Sequence, residues 1–381
     1  MNTVEFPGLG HTFHLNRGAF HIGNLSVTWY GILITLGILL AMAFALSQCK
    51  KFGIIPDKLI DVTLGGVVGG IVGARLYYVA FSWDTFKDDL SSIVKTWEGG
   101  MAIYGGLIGA ILVGALIVKI RKMKLLPVLD IACMGFLIGQ AIGRWGNFVN
   151  VEAFGSNTSL PWGMTGERIT SYLSNSANIE ALNKLGVTVD ALAPVHPCFL
   201  YESLWCALGF LLLFLYSKHH KFDGELFLMY TAWYGLGRGV IEGLRTDSLL
   251  LGSIRVSQLL AFVLVIAAVI IWLVVRSKIK RAHDENYLKL YVNTEAYCQE
   301  VAAYEEKQAK KKNKKHSTSV STKETGAADS ASDETMAESE DEEPDVRSES
   351  PAKEPETDTD PAAEEAVDNN EDITGEDDIN E

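Results

Sequence analysis

The chain has 381 residues, of which 48% are hydrophobic, and a formal net charge of -14. The charge is unevenly distributed: residues 321–381 hold 24 acidic and 3 basic side chains, so residues 1–320 carry a net charge of +7. The five cysteines form no Cys-x-x-Cys pair, which argues against a disulfide framework or a cysteine-based metal site.

Apolar segments long enough to cross a bilayer, for which about 20 residues are needed, follow one another through the first three quarters of the chain. We predict an all-α polytopic membrane protein with seven transmembrane helices. The predicted spans are about 28–48, 59–81, 101–120, 127–143, 198–216, 223–243 and 257–275. The first span has full length and no basic region immediately before it, so no cleaved signal peptide is expected.

Lysine and arginine cluster in alternate connections, after the first, third, fifth and seventh spans. Because cytoplasmic loops carry the excess of basic residues, the N-terminus is predicted to lie outside the cell membrane and the C-terminus in the cytoplasm. Residues 1–27 are then an extracytoplasmic segment and 28–276 the membrane domain. Within that domain, 144–197 form an extracytoplasmic cap with an amphipathic helix near 167–176.

The sequence after the last span changes character twice. Residues 277–320 form a basic linker, whose run 307–315 either touches anionic lipid or is simply solvated. Residues 321–381 are acidic, with almost no large apolar residue, and are predicted to be a disordered cytoplasmic tail. No nucleic-acid-binding motif accompanies the basic run.

Polar side chains of six spans are predicted to lie at one level of the bilayer, the outer leaflet, whereas the inner halves of the spans are nearly uncharged. They are Trp29, Tyr30, Arg75, Tyr104, Arg144, Asn147, His196, Tyr201, Glu202, Tyr234, Arg238, Glu242 and Arg245. Tyr234, Arg238 and Glu242 share one helical face. Charges facing lipid are costly, so this face should line a wet interior. The planar guanidinium of an arginine at this place is suited to bind a phosphate group, and Glu242 or Glu202 can hold that guanidinium in position.

Each of these residues also has an explanation without function. Arginines near helix ends can extend to the interface, and tryptophan or tyrosine can anchor a span there. The glycines of the second and third spans form small-xxx-small rows typical of helix packing. Gly99-Gly100 and Gly105-Gly106 could instead let the backbone approach a ligand.

Five motifs in register resemble the prolipoprotein diacylglyceryl transferase family, over about residues 15–276. The most specific is Gly143-Arg144-Trp145-Gly146-Asn147-Phe148-Val149-Asn150, followed by Glu152 and Gly155. The others are Trp29-Tyr30-Gly31, Gly99-Gly100-Met101 with Gly105-Gly106-Leu107-Ile108-Gly109, His196-Pro197 with Leu200-Tyr201-Glu202, and Tyr234-Gly235 with Arg238, Glu242 and Arg245.

The resemblance implies a reaction and its partners. Such an enzyme moves the sn-1,2-diacylglyceryl group of phosphatidylglycerol to the lipobox cysteine thiol of a prolipoprotein signal peptide and releases glycerol 1-phosphate, without cofactor or metal. By resemblance, the catalytic residues are Arg144, Arg238, Glu242 and Tyr104. The phosphatidylglycerol-binding residues are Arg144, Asn147, Asn150, Glu152, Gly155, Tyr30, Tyr234, Arg245 and His196.

One position departs from the family pattern. Many members have His-Gly-Gly where this chain has Tyr104-Gly105-Gly106. A histidine is a natural general base near neutral pH, whereas a tyrosine, with a pKa of about 10, is a poor one. Tyr104 is therefore expected to position substrate, or base catalysis comes from elsewhere; His196 is as well explained by a structural role.

Two other classes of protein compete with this interpretation. A transporter of an anionic solute or lipid would also have glycine-rich spans with buried charges. It would usually place charges on both sides or at the midplane, and it often contains an internal repeat. An intramembrane protease would need a Ser–His pair or two aspartates within spans, and Asp61 and Asp130 lie near cytoplasmic ends instead.

Overall fold

The computed structural model describes residues 2–310, apart from 24, 88, 97–98, 185, 247–249, 252–253, 283 and 285. The predicted acidic tail 321–381 and the linker positions 311–320 lie outside the described residues. The helices in chain order are α1 Trp29–Gln48, α2 Pro56–Phe81, α3 Trp83–Phe86, α4 Ile103–Ile120, α5 Leu125–Asn150, α6 Glu167–Ser174, α7 Ser176–Lys184, α8 Cys198–Tyr216, α9 Glu225–Ile241, α10 Val256–Ala282 and α11 295–310.

The described part of the chain is mostly helical, and six of its helices are long and apolar enough to cross a membrane. These six are α1, α2, α4, α5, α8 and α10, as expected for a polytopic membrane protein. The predicted sixth span corresponds to α9, which has 17 residues and is not one of the six. The count of seven crossings and their orientation therefore stay predictions.

Short antiparallel strands, which were not predicted from the sequence, form most of the N-terminal segment and a small hairpin before α10. Strands β1 Asn2–Phe6 and β2 His11–Leu15 pair, as do β3 Gly18–Ile22 with β4 Leu25–Thr28, and β5 Leu250–Leu251 with β6 Ile254–Arg255. Alternation explains β1, because Val4 and Phe6 are buried while Glu5 between them is exposed. The all-α prediction is correct only as a mostly helical fold.

Helix α5 lies at the centre of the membrane domain and packs against α1, α8 and α9, while α10 covers α9. Two indoles lock α8 to α9: Trp205 and Trp233 stack with centroids 4.1 Å apart, and each donates its Nε1–H to the other's carbonyl at 3.0 Å. A methyl group at Gly209 or Gly237 would collide with these rings. The Trp205–Trp233 contact therefore fixes which face of α9 packs against α5 and α8.

Helices α2 and α4 pack on each other along their glycine rows. A Cβ atom at Gly73 would lie 2.4 Å from the carbonyl oxygen of Gly105, and one at Gly109 would lie 2.2 Å from that of Gly69. Only glycine permits such close backbone approach. These rows therefore serve helix packing.

The predicted extracytoplasmic cap is built on the N-terminal strands and the segment between α5 and α8. The predicted amphipathic helix is present as α6, with α7 directly after it. Their apolar faces bury Ile169, Leu173 and Leu182 against Val4 and Val195. A bridge between Glu5 and Thr165 ties β1 to this core. The core also includes Val151 and contacts Phe148, so the cap rests directly on the end of α5.

Candidate functional site

The carboxylate of Glu202, near the start of α8, is the centre of an ion-pair network. Its Oε2 lies 2.5 Å from Nη2 of Arg144, and its Oε1 lies 3.1 Å from Nη1 of Arg245 and 3.4 Å from Nη1 of Arg238. The Glu202 side chain is 6% exposed. Helices α5, α8 and α9 thus contribute charged groups to one point, with the arginine of the turn after α9.

A second carboxylate, Glu242, supports the same arginines from the end of α9. Its Oε2 lies 2.5 Å from Nη2 of Arg238, one helical turn earlier, and 4.0 Å from Nε of Arg245. Its Oε1 accepts a hydrogen bond from the hydroxyl of Ser257 at 2.7 Å. Arg238 and Glu242, four residues apart, thus form the ion pair expected from their spacing. Ser257 holds the Glu242 carboxylate from α10.

The last turn of α5 carries the amide groups. Asn147 donates to Oε1 of Glu152 at 2.9 Å, and Asn150 donates to the same oxygen at 3.2 Å. Nη1 of Arg144 in turn reaches the amide oxygen of Asn147 at 3.4 Å. A chain of contacts therefore runs from Glu152 through Asn147 to Arg144.

A strained turn directs Glu152 back onto α5. Val151 and Ala153, on either side of it, have φ of 51° and 57°, a left-handed conformation that β-branched residues such as valine rarely adopt. The N–H of Val151 bonds to the carbonyl of Phe148 and that of Glu152 to the carbonyl of Asn147, both at 3.0 Å, which closes the turn. Backbone strain of this kind persists where surrounding contacts over-determine it, typically at functional sites.

Two tyrosines flank the network. The ring of Tyr30, at the start of α1, packs on Gly146, where a Cβ atom would lie 2.5 Å from it. Tyr234 lies on α9 one helical turn before Arg238, on the same helical face. Both predicted tyrosines therefore lie on helices that meet at the arginines.

Backbone pairing joins Gly155 to two other site residues. Its N–H bonds to the carbonyl of His196 at 2.9 Å, and it bridges to Arg245, while a Cβ atom at Gly155 would lie 2.8 Å from the Cβ atom of His196. The His196 ring bonds through Nδ1 to the Tyr201 hydroxyl at 3.2 Å, which accepts from Nε1 of Trp162 at 2.8 Å. Burial lowers the pKa of His196.

Tyr104 and Arg75 stand apart from this arrangement. Tyr104 lies in the first turn of α4 and is 56% exposed. Among the described residues, no hydrogen bond joins it to the arginines. Arg75 is buried and donates to five carbonyls of the loop after α3, including those of Ile93 at 2.7 Å and Gly100 at 2.9 Å. Its guanidinium holds that loop, and among the described residues its hydrogen bonds go to loop carbonyls rather than to the ion-pair network.

The geometry favours binding of an anion with several oxygens. Three guanidinium groups converge, and Arg144 and Arg238 are the more accessible, at 20% and 23% against 11% for Arg245. Guanidinium forks match phosphate oxygens in shape and charge. Among the described residues, no group of three or more His, Cys, Asp or Glu side chains is placed to hold a metal ion.

Most of these residues were predictable from the sequence, but the central position of Glu202 was not. Glu202 appeared only as one of two supports for a guanidinium, although the structure places three arginines on it. Its position, directly after Tyr201 at the start of a span, was the available signal. Ser257 and Trp162 were missed, since no pattern around them distinguishes a ligand of a site residue from an ordinary interface side chain.

Comparison with known proteins agrees with the resemblance in sequence. A family model described as prolipoprotein diacylglyceryl transferase matches residues 17–274. Curated proteins named phosphatidylglycerol–prolipoprotein diacylglyceryl transferase are similar at 40% identity. The protein of Bacillus cytotoxicus aligns over 74% of this chain and 99% of its own length, that of Listeria innocua over 67% and 88%, and that of Finegoldia magna over 71% and 100%.

Proposed function

Because the chain belongs to the prolipoprotein diacylglyceryl transferase family, we propose that it transfers the sn-1,2-diacylglyceryl group of phosphatidylglycerol to the lipobox cysteine of prolipoproteins. The observation that carries the proposal is the convergence of Arg144, Arg238 and Arg245 on Glu202. The transporter alternative finds no support in the relatives.

The reaction exchanges one bond for another at a single carbon. The thiol sulfur attacks the sn-3 carbon of the diacylglyceryl group, a C–S bond forms, and the C–O bond to phosphate breaks. Glycerol 1-phosphate leaves with the thiol proton. The leaving phosphate gains negative charge, so cationic donors already in position stabilise the transition state more than the ground state.

The roles of individual residues follow from their accessibility and partners. Arg144 and Arg238 bind the phosphate, and Glu202 and Glu242 hold their guanidinium groups in place. Asn147, Asn150 and Glu152 shape the pocket for the glycerol head group. Further contacts to the lipid are assigned to Tyr30, Tyr234, Gly155, His196 and Arg245. Tyr104 positions substrate from the end of α4 and is not assigned as general base.

The proposed topology has seven crossings, with α9 as the sixth. Residues 1–27 and the cap 144–197 face outward, and the site lies at the outer leaflet of the cytoplasmic membrane, where secreted prolipoproteins emerge. The linker 277–320 and the tail 321–381 are cytoplasmic. Support comes from the alternation of basic connections along the sequence.

A transfer assay tests the activity. Purified protein in detergent receives labelled phosphatidylglycerol and a lipobox peptide, and wild type is compared with Arg144→Ala. We expect a thioether-linked diacylglyceryl peptide from wild type and a loss of at least about tenfold in the variant. No product from wild type would refute the activity, and an unimpaired variant would refute the assignment of Arg144.

The native Cys298 tests the topology, because it is exposed whereas the other four cysteines are buried. A membrane-impermeant maleimide should label it only after cells are permeabilised. A cysteine introduced at Ser174, in the cap, should be labelled in intact cells. Labelling of Cys298 in intact cells would reverse the proposed orientation.

A further inference from the structure

A polar column continues inward from the arginines, between α5 and α9. Nε2 of Gln140 donates to the hydroxyl of Tyr230 at 3.2 Å, and the thiol of Cys206 lies 3.9 Å from Oε1 of Gln140. The Tyr230 ring stacks on Tyr234, with centroids 5.7 Å apart. Tyr234 in turn lies one helical turn before Arg238 on the same face of α9, so the column adjoins the arginines.

The column lies at a defined depth below the proposed phosphate site. Gln140 precedes Arg144 by four residues on α5 and lies nearer the middle of the helix. The two residues are therefore about 6 Å apart along the helix axis. The polar zone of one leaflet is about 5–8 Å thick, half the difference between the whole bilayer and its hydrocarbon core. The ester groups of a phospholipid whose phosphate contacts Arg144 would therefore lie level with Gln140.

Two groups of the column, the Gln140 amide and the Tyr230 hydroxyl, can each donate a hydrogen bond to a ligand. Gln140 uses one amide proton on Tyr230 and retains a second. Among the described residues, the Tyr230 hydroxyl accepts from Gln140 and donates no hydrogen bond of its own, so its proton is available. Both side chains are partly accessible, although their surroundings include buried Met134 and Leu137 and the ring of Phe136. Polar groups inside a membrane domain are costly and mark functional sites by default.

We propose that Gln140 and Tyr230 form a binding site for an ester carbonyl of the donor lipid. An ester offers a neutral acceptor and needs no counter-charge, which suits a pair of neutral donors in apolar surroundings. The inference rests on the proposed function and extends it. By holding an ester of the transferred group, the pair fixes the neighbouring sn-3 carbon relative to the phosphate on Arg144. Gln140 and Tyr230 are thus positioning residues that select ester-linked lipids.

The test compares two donors that differ only in these carbonyls, dipalmitoyl phosphatidylglycerol and its dihexadecyl diether analogue. Transfer to a lipobox peptide is measured as kcat/KM in matched detergent micelles. The variants are Tyr230→Phe and Gln140→Met, which remove donors at nearly constant volume. Thr231→Val is the control, because its hydroxyl bonds to the carbonyl of Phe227 within α9.

Wild type should prefer the diester about three- to tenfold, as expected for one or two neutral hydrogen bonds. Tyr230→Phe and Gln140→Met should lower the rate with the diester only, so that the preference falls toward one, while Thr231→Val keeps it. Equal use of both donors by wild type, or an equal loss with both donors in the variants, would overturn the inference.

Two further outcomes keep the inference separate from its premise. No product from wild type with the diester would refute the proposed function itself. A shifted thermal unfolding transition would identify a variant that folds poorly, and the other variant then decides the question.

Discussion

Replacing Glu202 with glutamine tests the ion-pair network most severely, because three guanidinium groups lie within 3.4 Å of its carboxylate. Glutamine keeps the shape and one acceptor but removes the charge. Breaking a buried ion pair by changing one partner costs about 3–5 kcal/mol. The retained acceptor and the partial exposure of Arg144 and Arg238 place the expected loss at the lower end, about 3 kcal/mol.

That loss should lower the unfolding temperature in detergent by roughly 6–12 °C for a domain of this size. Transfer activity should fall about 100-fold, since guanidinium groups displaced by even 1 Å no longer match the phosphate. Glu180→Gln is the matched control, because its carboxylate is 71% exposed and pairs with the exposed Lys184. If Glu202→Gln unfolds within about 2 °C of wild type and keeps its activity within about twofold, the proposed role of the network is refuted.

Three other substitutions probe separate parts of the site. Gly146→Ala should cost about 1–3 kcal/mol and most of the activity, because its new methyl group displaces Tyr30; Gly139→Ala, also on α5 but with open space at the Cβ position, should be tolerated. Tyr104→Phe should keep activity within about threefold, corresponding to at most one weak hydrogen bond, whereas near-total loss in a folded variant would make Tyr104 essential. Since burial lowers the pKa of His196, the unfolded state binds more protons below its ordinary pKa of about 6.5, and stability should fall as the pH drops through 6.5. This loss should be smaller in His196→Gln, and an identical pH dependence of the unfolding temperature in both proteins would contradict it.

Hydropathy predicted the helices well where a span is apolar throughout. The predicted 28–48 and 198–216 match α1 and α8 to within a residue. The predicted fourth span ended at 143, although α5 continues to Asn150. That extension carries Arg144 and Asn147, whose polar groups pair with Glu202 on α8 and with Glu152 in the turn after α5. The apolar pattern therefore ends where the site begins.

The site could be predicted as a set of residues but not as an arrangement. The i, i+4 spacing of Arg238 and Glu242 is local and was visible in the sequence. The shared use of Glu202 by three arginines depends on how α5, α8 and α9 pack, and this follows from contacts such as the Trp205–Trp233 stack. The hydrogen bonds of Arg75 could not be predicted for the same reason, because its carbonyl partners lie 17 to 25 residues away in the chain.

The claim on which the account depends is that Arg144 and Arg238 bind the phosphate of the donor lipid. Equilibrium binding of a fluorescent phosphatidylglycerol to purified Arg144→Gln and Arg238→Gln measures it, with Arg121→Gln as control, since Arg121 pairs with Asp61 far from the site. Each site variant should bind the lipid about 10- to 100-fold more weakly, because that is the change in affinity expected for the loss of one charge-assisted hydrogen bond. Wild-type affinity in both would contradict the account.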